Sequence, residues 1–536
     1  MKRLLLVVTA AAALWGTACG GGTSFVTPPP PVGKYSLASL NGTYAFVTSG
    51  EFFTNSLSAT PLARTGSFTA DGKGGITGGV EDVNAAGTFT PALSVTGGNY
   101  TVNADGRGTL RLNISANGVV STISFGIVLT STSDGLMIDE TVNGNQISTG
   151  SGNFILQTGA PFTVGSASGT YVFDFSGLDG TGAPDSIVGE FNANNGVVSA
   201  GVEDENDNGN LPRTPTPVSF IGMLAPDPTQ TADFTSFGRG VASLNGINYI
   251  FYIVDGSRIR FLSTSGGEML SGDAVIQNNP PATLNSSFVF IVAGATGSGG
   301  VTRIGRFTAN GASLTSVVLD TNDAGKFTPT GGTASTISNA SITMDTANPG
   351  RGTLTFKASN LSVPFTFVFY LSSATSGVIQ DVSQTSSGVA TDVADGSIEA
   401  QAAGPFSASN ITGTYAFNWS GLSIQTSGNF SIQDEEDVVA QVTVSNLSLT
   451  GASDSFQFFD GVPTTDAVVS GSITPGGSGT GADGQRNTMS VKLTKSSSLT
   501  VSFVVYIANP QLAFFANDVN NQGSTRIVAG ILKAQQ

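Results

Sequence analysis

The sequence predicts an all-β protein of four tandem antiparallel domains, each an up-and-down barrel of about eight strands; a β-sandwich is the alternative. Three observations predict it. Glycine is abundant, at 70 of 536 residues, Asp-Gly turns are dense, and no long capped helical pattern is present. Charged residues make up only 11% of the chain, so it is too apolar for a disordered tail and should fold. One phrase, "NGTYAFVTSG" (Asn41 to Gly50), recurs as "SGTYVFDFSG" from Ser168 and "TGTYAFNWSG" from Thr412, with a weaker copy, "NSSFVFIVAG", from Asn285.

Further landmarks recur in the same order. A Gly-x-Phe follows the opening phrase at Gly66, Gly189, Gly305 and Gly428. A phenylalanine-centred strand follows at Phe125, Phe251, Phe367 and Phe503, and each unit closes on an apolar strand ending at Gln157, Gln277, Gln401 or Gln535. A unit of about 120 residues can bury its own core, unlike a thin solenoid repeat. The expected divisions are a signal segment at 1–18, a linker at 19–36, and β repeats at 37–162, 163–281, 282–406 and 407–536.

Within the first unit the turns separate runs near 43–49, 64–70, 75–83, 88–94, 98–104, 108–115, 119–131 and 135–157, the last long enough to split in two. Short hairpins between them imply an antiparallel meander, and pairing the first strand with the last would remove both edges. Alternation assigns the inward face. Tyr44, Phe46, Phe68 and Phe125 are expected in the first interior, with Tyr171, Phe173, Phe191 and Phe251 in the second. Phe307 and Phe367 belong to the third, and Tyr415, Phe417, Phe430 and Phe503 to the fourth. The phenylalanine-centred strand is apolar on both faces, as in "FTFVFYL" (Phe365 to Leu371). A barrel wall needs only one apolar face, so the second should pack on a neighbouring domain or under a long loop.

The chain begins "MKRLLLVVTAAAALWGTACGGG". Lys2 and Arg3 precede an apolar run too short to span a bilayer comfortably, and small residues then lead to Cys19, the only cysteine. This segment resembles the lipobox of bacterial lipoproteins, although Gly16 stands where leucine is commoner. The resemblance implies acylation of Cys19, an exported chain anchored by its acyl groups, and delivery to the outer membrane or cell surface, because Gly20 is not aspartate. The repeats are similar in general style to those of multi-repeat envelope lipoproteins. The segment Gly20 to Lys34, with four prolines, reads as a spacer.

The chemistry available is narrow. Histidine is absent, which removes the commonest general base and the usual zinc ligand. No Gly-x-Ser-x-Gly elbow is present, so no catalytic residues are assigned and the chain reads as a non-enzyme. A net charge of −16 with no basic patch argues against nucleic-acid partners. The adjacent pairs Glu81–Asp82 and Asp139–Glu140 should point to opposite faces and not act on one substrate.

The third strands end in "EDVNAAG", "EDENDNG" and "LDTNDAG". These place Asp82 and Asn84, then Asp204, Asn206 and Asn208, then Asp320 and Asn322 in one pattern. The pattern reads as a hairpin turn or, by its likeness to half an EF-hand loop, as a calcium site; no other cofactor is implied. Nothing comparable stands at Glu436 to Ser448 of the fourth unit. Arg107, Arg239 and Arg351 each precede a glycine, and each could bind a carboxylate. The expected function is a non-catalytic, lipid-anchored envelope protein whose β domains are structural, adhesive or scaffold modules, with a membrane anchor and an envelope protein or glycan as partners. Small-ligand capture inside lipocalin-like barrels is the alternative.

Overall fold

The computed structural model describes residues 34–54, 59–143, 146–208, 216–296, 299–330, 337–358, 364–384, 392–402, 410–427, 430–457, 463–476, 486–495, 497–518 and 524–536. The signal segment, Cys19 and most of the spacer therefore lie outside the described residues. Among these residues no helix is long and apolar enough to cross a membrane.

The chain forms four closed antiparallel barrels of eight strands. The first runs Asn41–Thr54, Thr60–Asp71, Gly75–Ala85, Thr88–Tyr100, Arg107–Ala116, Val119–Leu129, Asp134–Asp139 and Gln146–Leu156, closed by pairing of its first and last strands. The second runs Gly169–Leu178, Pro184–Asn194, Val197–Asp207, Val218–Pro226, Arg239–Leu244, Ile247–Asp255, Arg258–Ser263 and Met269–Ile276. In the third, Ser287–Thr296 and Gly299–Asn310 lead to a third strand in two pieces, Ser313–Leu314 and Val318–Asp323, and a fourth in two, Lys326–Thr330 and Ile337–Met344. Arg351–Ala358, Phe365–Leu371, Ser376–Asp381 and Asp392–Ala400 complete it. The fourth runs Gly413–Ser427, Phe430–Ser445, Ser448–Gln457, Thr464–Thr474, Arg486–Thr494, Ser498–Asn509, Leu512–Asn517 and Ser524–Ala534.

One detail of the strand count differs from the sequence reading. The runs near 88–94 and 98–104 are one strand, Thr88–Tyr100, carried past Gly97 by a shift of register rather than a turn. The run 135–157 splits, as the sequence reading allowed, into Asp134–Asp139 and Gln146–Leu156, with the short Val142–Asn143 between them.

Each interior is centred on a cluster of apolar, largely aromatic side chains. Tyr44, Phe46, Phe68 and Phe125 are fully buried in one cluster, as are Tyr171, Phe173, Phe191 and Phe251 in the second barrel. Phe307 and Phe367 lie in the third cluster, and Tyr415, Phe417 and Phe503 in the fourth. The Gly-x-Phe landmark has a steric reason. A Cβ at Gly66 would sit 2.7 Å from the Phe46 ring, and Gly189 and Gly305 stand in the same relation to Phe173 and Phe290. The phenylalanine two residues on then stacks across the strands, as in Tyr44–Phe68 (5.6 Å), Tyr171–Phe191 (5.6 Å) and Phe288–Phe307 (5.4 Å).

In the fourth barrel one landmark is displaced, and the Phe430 side chain lies outside the described residues. Register places Val442, not Phe430, opposite Tyr415, while Phe430 pairs with Ser427 at the start of its strand. The second strand of this barrel spans 16 residues, so the landmark is displaced along it. Ala440 stands where the other barrels have glycine, and Phe417 stacks on Phe515 at 4.8 Å.

The barrels are not separate beads. The first two strands of barrel 1 pack on the last three strands of barrel 2. Barrel 2 packs on barrel 3 in the same way, barrel 3 on barrel 4, and barrel 4 on barrel 1. Four repetitions of one head-to-tail contact close a ring. The sixth strand's outer face is spent on these seams. Val368 and Tyr370 are buried with Val172, Val188 and Val202, and Ile250 and Tyr252 with Val80. A hub cluster takes Ala63, Leu178, Leu262, Met269, Ala295 and Leu422 from all four barrels.

Candidate functional site

The third strand of barrel 1 turns Glu81 inward and Asp82 outward, because adjacent strand residues face opposite ways. Asp82 is fully buried. Arg239, the first residue of the fifth strand of barrel 2, donates Nε and Nη2 to its two carboxylate oxygens, both at 2.8 Å. Tyr252 donates its hydroxyl to the same carboxylate. The next seam repeats this. Arg351 grips Asp204 with two bonds of 2.8 Å, and Tyr370 donates at 2.6 Å. At the third seam Arg486 Nε lies 2.9 and 3.0 Å from the Asp320 oxygens, and Tyr506 donates at 2.6 Å.

Burial alone would lower the affinity of Arg239 for its proton, but the hydrogen bonds and charge of Asp82 outweigh it and hold the guanidinium firmly charged. Tyr252 is pushed well above the usual phenol range by burial first and by the Asp82 charge next. Each of these three seams therefore centres on a charge-assisted carboxylate–guanidinium pair with a phenol closing it.

Two residues on, the asparagine docks on backbone. Asn84 Nδ2 donates to the carbonyls of Ser263 (2.9 Å) and Glu268 (2.7 Å), and Asn206 to those of Asp381 (3.0 Å) and Asp392 (2.8 Å). Asn322 donates to Arg526 O at 2.8 Å and Asn517 Oδ1 at 2.7 Å. Asn208 takes another role. It is exposed, in the left-handed region at φ 48°, where Ala86 and Ala324 stand in the other copies. The carboxylates named for calcium thus face guanidinium groups, and their oxygens are taken by arginine and tyrosine donors. Among the described residues, no group of three or more carboxylates, histidines or cysteines is arranged to hold a metal.

The closing glutamines form a second socket. Gln157 Nε2 donates to Phe237 O (2.7 Å) and Ile253 O (2.6 Å) of barrel 2. Gln277 reaches Pro349 O (3.0 Å) and Leu371 O (3.1 Å), and Gln401 reaches Ile507 O (2.8 Å). Gln535 of barrel 4 donates to Asp105 O (2.9 Å) and Leu129 O (2.8 Å) of barrel 1, so the ring is closed by the same bond.

The fourth seam also holds the aspartate that the sequence reading missed. Val439 pairs with Asp454 as Thr65 pairs with Asp82. Asp454 accepts the Asp466 N–H at 2.8 Å, as Asp82 accepts that of Ala92. Its arginine is Arg107, 3.8 Å away and bonded to Asp466 at 2.8 Å. Val128 stands opposite Arg107 where Tyr252, Tyr370 and Tyr506 stand opposite the other arginines. The long second strand moved this aspartate beyond Ser448, past the stretch in which the pattern was sought. The partner arginines carried a signal, their recurrent Arg-Gly, but nothing in the sequence linked them to the aspartates.

The interiors hold further charged groups. In barrel 1 Arg64 bridges Glu81 at 3.0 Å and Asp139 at 3.3 Å. In barrel 3 Arg303 contacts Asp381 at 2.9 Å and also pairs with Asp392. Glu81 lies inside the barrel and Asp82 outside, so they do not act as a pair; the same holds for Asp139 and Glu140.

No protein-family model matches the chain, and no curated protein matches it. Three solved structures of transferrin binding protein B are similar. A mutant from Haemophilus parasuis aligns at 11% identity and TM-score 0.20 over 80% of this chain and 86% of that one. The Neisseria meningitidis protein aligns at 10% and 0.18 over 75% and 84%. An intact structure with N and C lobes aligns at 10% and 0.18 over 97% and 99%. Superpositions at this level do not align the chains as wholes.

Proposed function

We propose that this chain is a non-catalytic, lipid-anchored protein of the bacterial envelope, exported and held by an acylated Cys19, whose four barrels form one rigid platform for envelope partners. The observation that carries the reading is the repetition of the aspartate–arginine and glutamine–carbonyl sockets around the ring. These sockets spend the recurrent polar residues on holding barrel to barrel. Filled, mutually stacked aromatic interiors support a scaffold over capture of a small ligand inside each barrel. The faces left for an envelope protein or glycan are the outer walls and hairpins.

The test is fractionation of the producing cell with mass spectrometry of the first residues. The native chain should partition with membranes and carry acyl groups at Cys19. Cys19→Ser should leave the barrels folded and the protein soluble. A native chain that stays soluble and unacylated would overturn the anchor.

A further inference from the structure

Register lets one position be compared across the four seams: an outward residue of a barrel's first strand against one on the last strand of the next. Between barrels 1 and 2 the two are Val47 and Ser271, and between 3 and 4 they are Ile291 and Ala529. Between 4 and 1 they are Asn418 and Ser151, bonded at 3.0 Å. Between 2 and 3 they are two carboxyls, Asp174 and Asp395, both buried and facing each other across the seam. Two buried carboxyls that face each other cannot both ionise without heavy cost.

The seam between 4 and 1 carries its own carboxyl pair beside that position. Glu435 and Asp437 face barrel 1 from the second strand of barrel 4, both buried. Thr149 donates to Asp437 at 2.5 Å, and Glu435 interacts with Asp437, two residues along on the same face. The charged groups of barrel 1 that act on this pair are Glu51 and, from inside the barrel, Asp139. The cations on adjoining strands are engaged: Arg64 with Glu81 and Asp139, Arg526 with Glu436. At the seam between 2 and 3 the further carboxylate is Asp273, paired with Arg258 at 2.7 Å, and Ser176 and Ser186 complete the surroundings.

We propose that the ring is built as two halves, barrels 1 with 2 and barrels 3 with 4, and that the two seams between the halves form a proton-dependent clasp which loosens as their carboxyls ionise. The seams within each half have no carboxyl pair at either place: Ala63 and Pro61 of barrel 1, and Thr302 and Gly300 of barrel 3, stand at the register of Asp437 and Glu435. The sign follows from linkage. Burial raises Asp395 to about 6 and Asp437 to about 7, and raises Asp174 and Glu435 well above the usual range. A closed seam therefore holds protons that an opened, hydrated one releases. Closure is strongest below the ordinary carboxylate range and weakens as pH rises through these raised values.

The test is hydrogen exchange on the whole chain carrying Cys19→Ser, at about pH 5 and about pH 8, corrected for intrinsic exchange. Protection should fall at the higher pH in the first two strands of barrels 2 and 4 and the last three of barrels 3 and 1, and hold at the other two seams. The double variant Asp395→Asn with Asp437→Asn should abolish that fall. A second variant covers a failure of the first to fold. A Cβ at Gly126 lies 3.3 Å from that of Asp454 across the seam, which suits a disulfide in Gly126→Cys with Asp454→Cys. Oxidised, it should keep the seam between 4 and 1 protected while that between 2 and 3 still loosens. Equal loss at all four seams, no loss at any, or a pH response persisting in the asparagine variant would overturn the proposal.

Discussion

At the scale of single residues, the seams turn on one rule: a carboxylate removed from water must find its donors in the protein. Asp204 finds them in Arg351 and Tyr370. Arg351→Ala would leave that charge buried and unmatched, and should lower stability by about 3–5 kcal/mol in denaturant titration. Tyr370→Phe removes one bond to a charged acceptor and should cost about 1.5–3 kcal/mol. Calcium has no free carboxylate oxygens to claim here, so millimolar calcium should leave the melting temperature unchanged, and a clear upward shift would restore a cation to the turns. The aspartates were legible as repeated letters. Their meaning was not, because Arg351 lies 147 residues from Asp204 and no local pattern ties the two.

At the scale of strands, alternation did most of the work. It placed Tyr44, Phe46 and Phe68 on one face, and hairpin turns marked most strand ends. It failed where a strand bends without turning, at Gly97 and Gly98, since a bulge and a turn use the same residue. At Phe430 a longer strand kept its alternation but slid the landmark along it. The pairing of Gly66 with Phe46 makes a direct prediction. Gly66→Ala puts a methyl group against the Phe46 ring and the Val80 carbonyl, and should cost about 1–3 kcal/mol by thermal melting. The reverse change in barrel 4, Ala440→Gly, meets no such ring clash and should cost less than about 1 kcal/mol.

At the scale of the whole molecule, the ring treats its covalent and non-covalent seams alike. After each closing glutamine the next amide bonds the same carbonyl of the following barrel: Thr158 to Val254, Asn278 to Ser372, Ala402 to Ala508, and Gln536 to Thr130. Tyr35, at the entry to barrel 1, donates its hydroxyl to Gln536 O at 3.1 Å. A circular permutant that joins Gln536 to Lys34 through a short Gly/Ser linker and opens the chain between Thr158 and Pro161 should therefore fold to the same ring. Its melting temperature should lie within a few degrees of the parent, and small-angle scattering should give the same compact particle; an extended chain of beads would contradict the equivalence of the seams. By itself the sequence determined the all-β class, the fourfold repetition and the inward aromatic face, because each is written in neighbours two residues or one repeat apart. Only the tertiary structure decided that the barrels close on one another and that the acidic turns are sockets. A head-to-tail contact joins surfaces from different repeats, and shape and charge across a seam leave no periodicity along the chain.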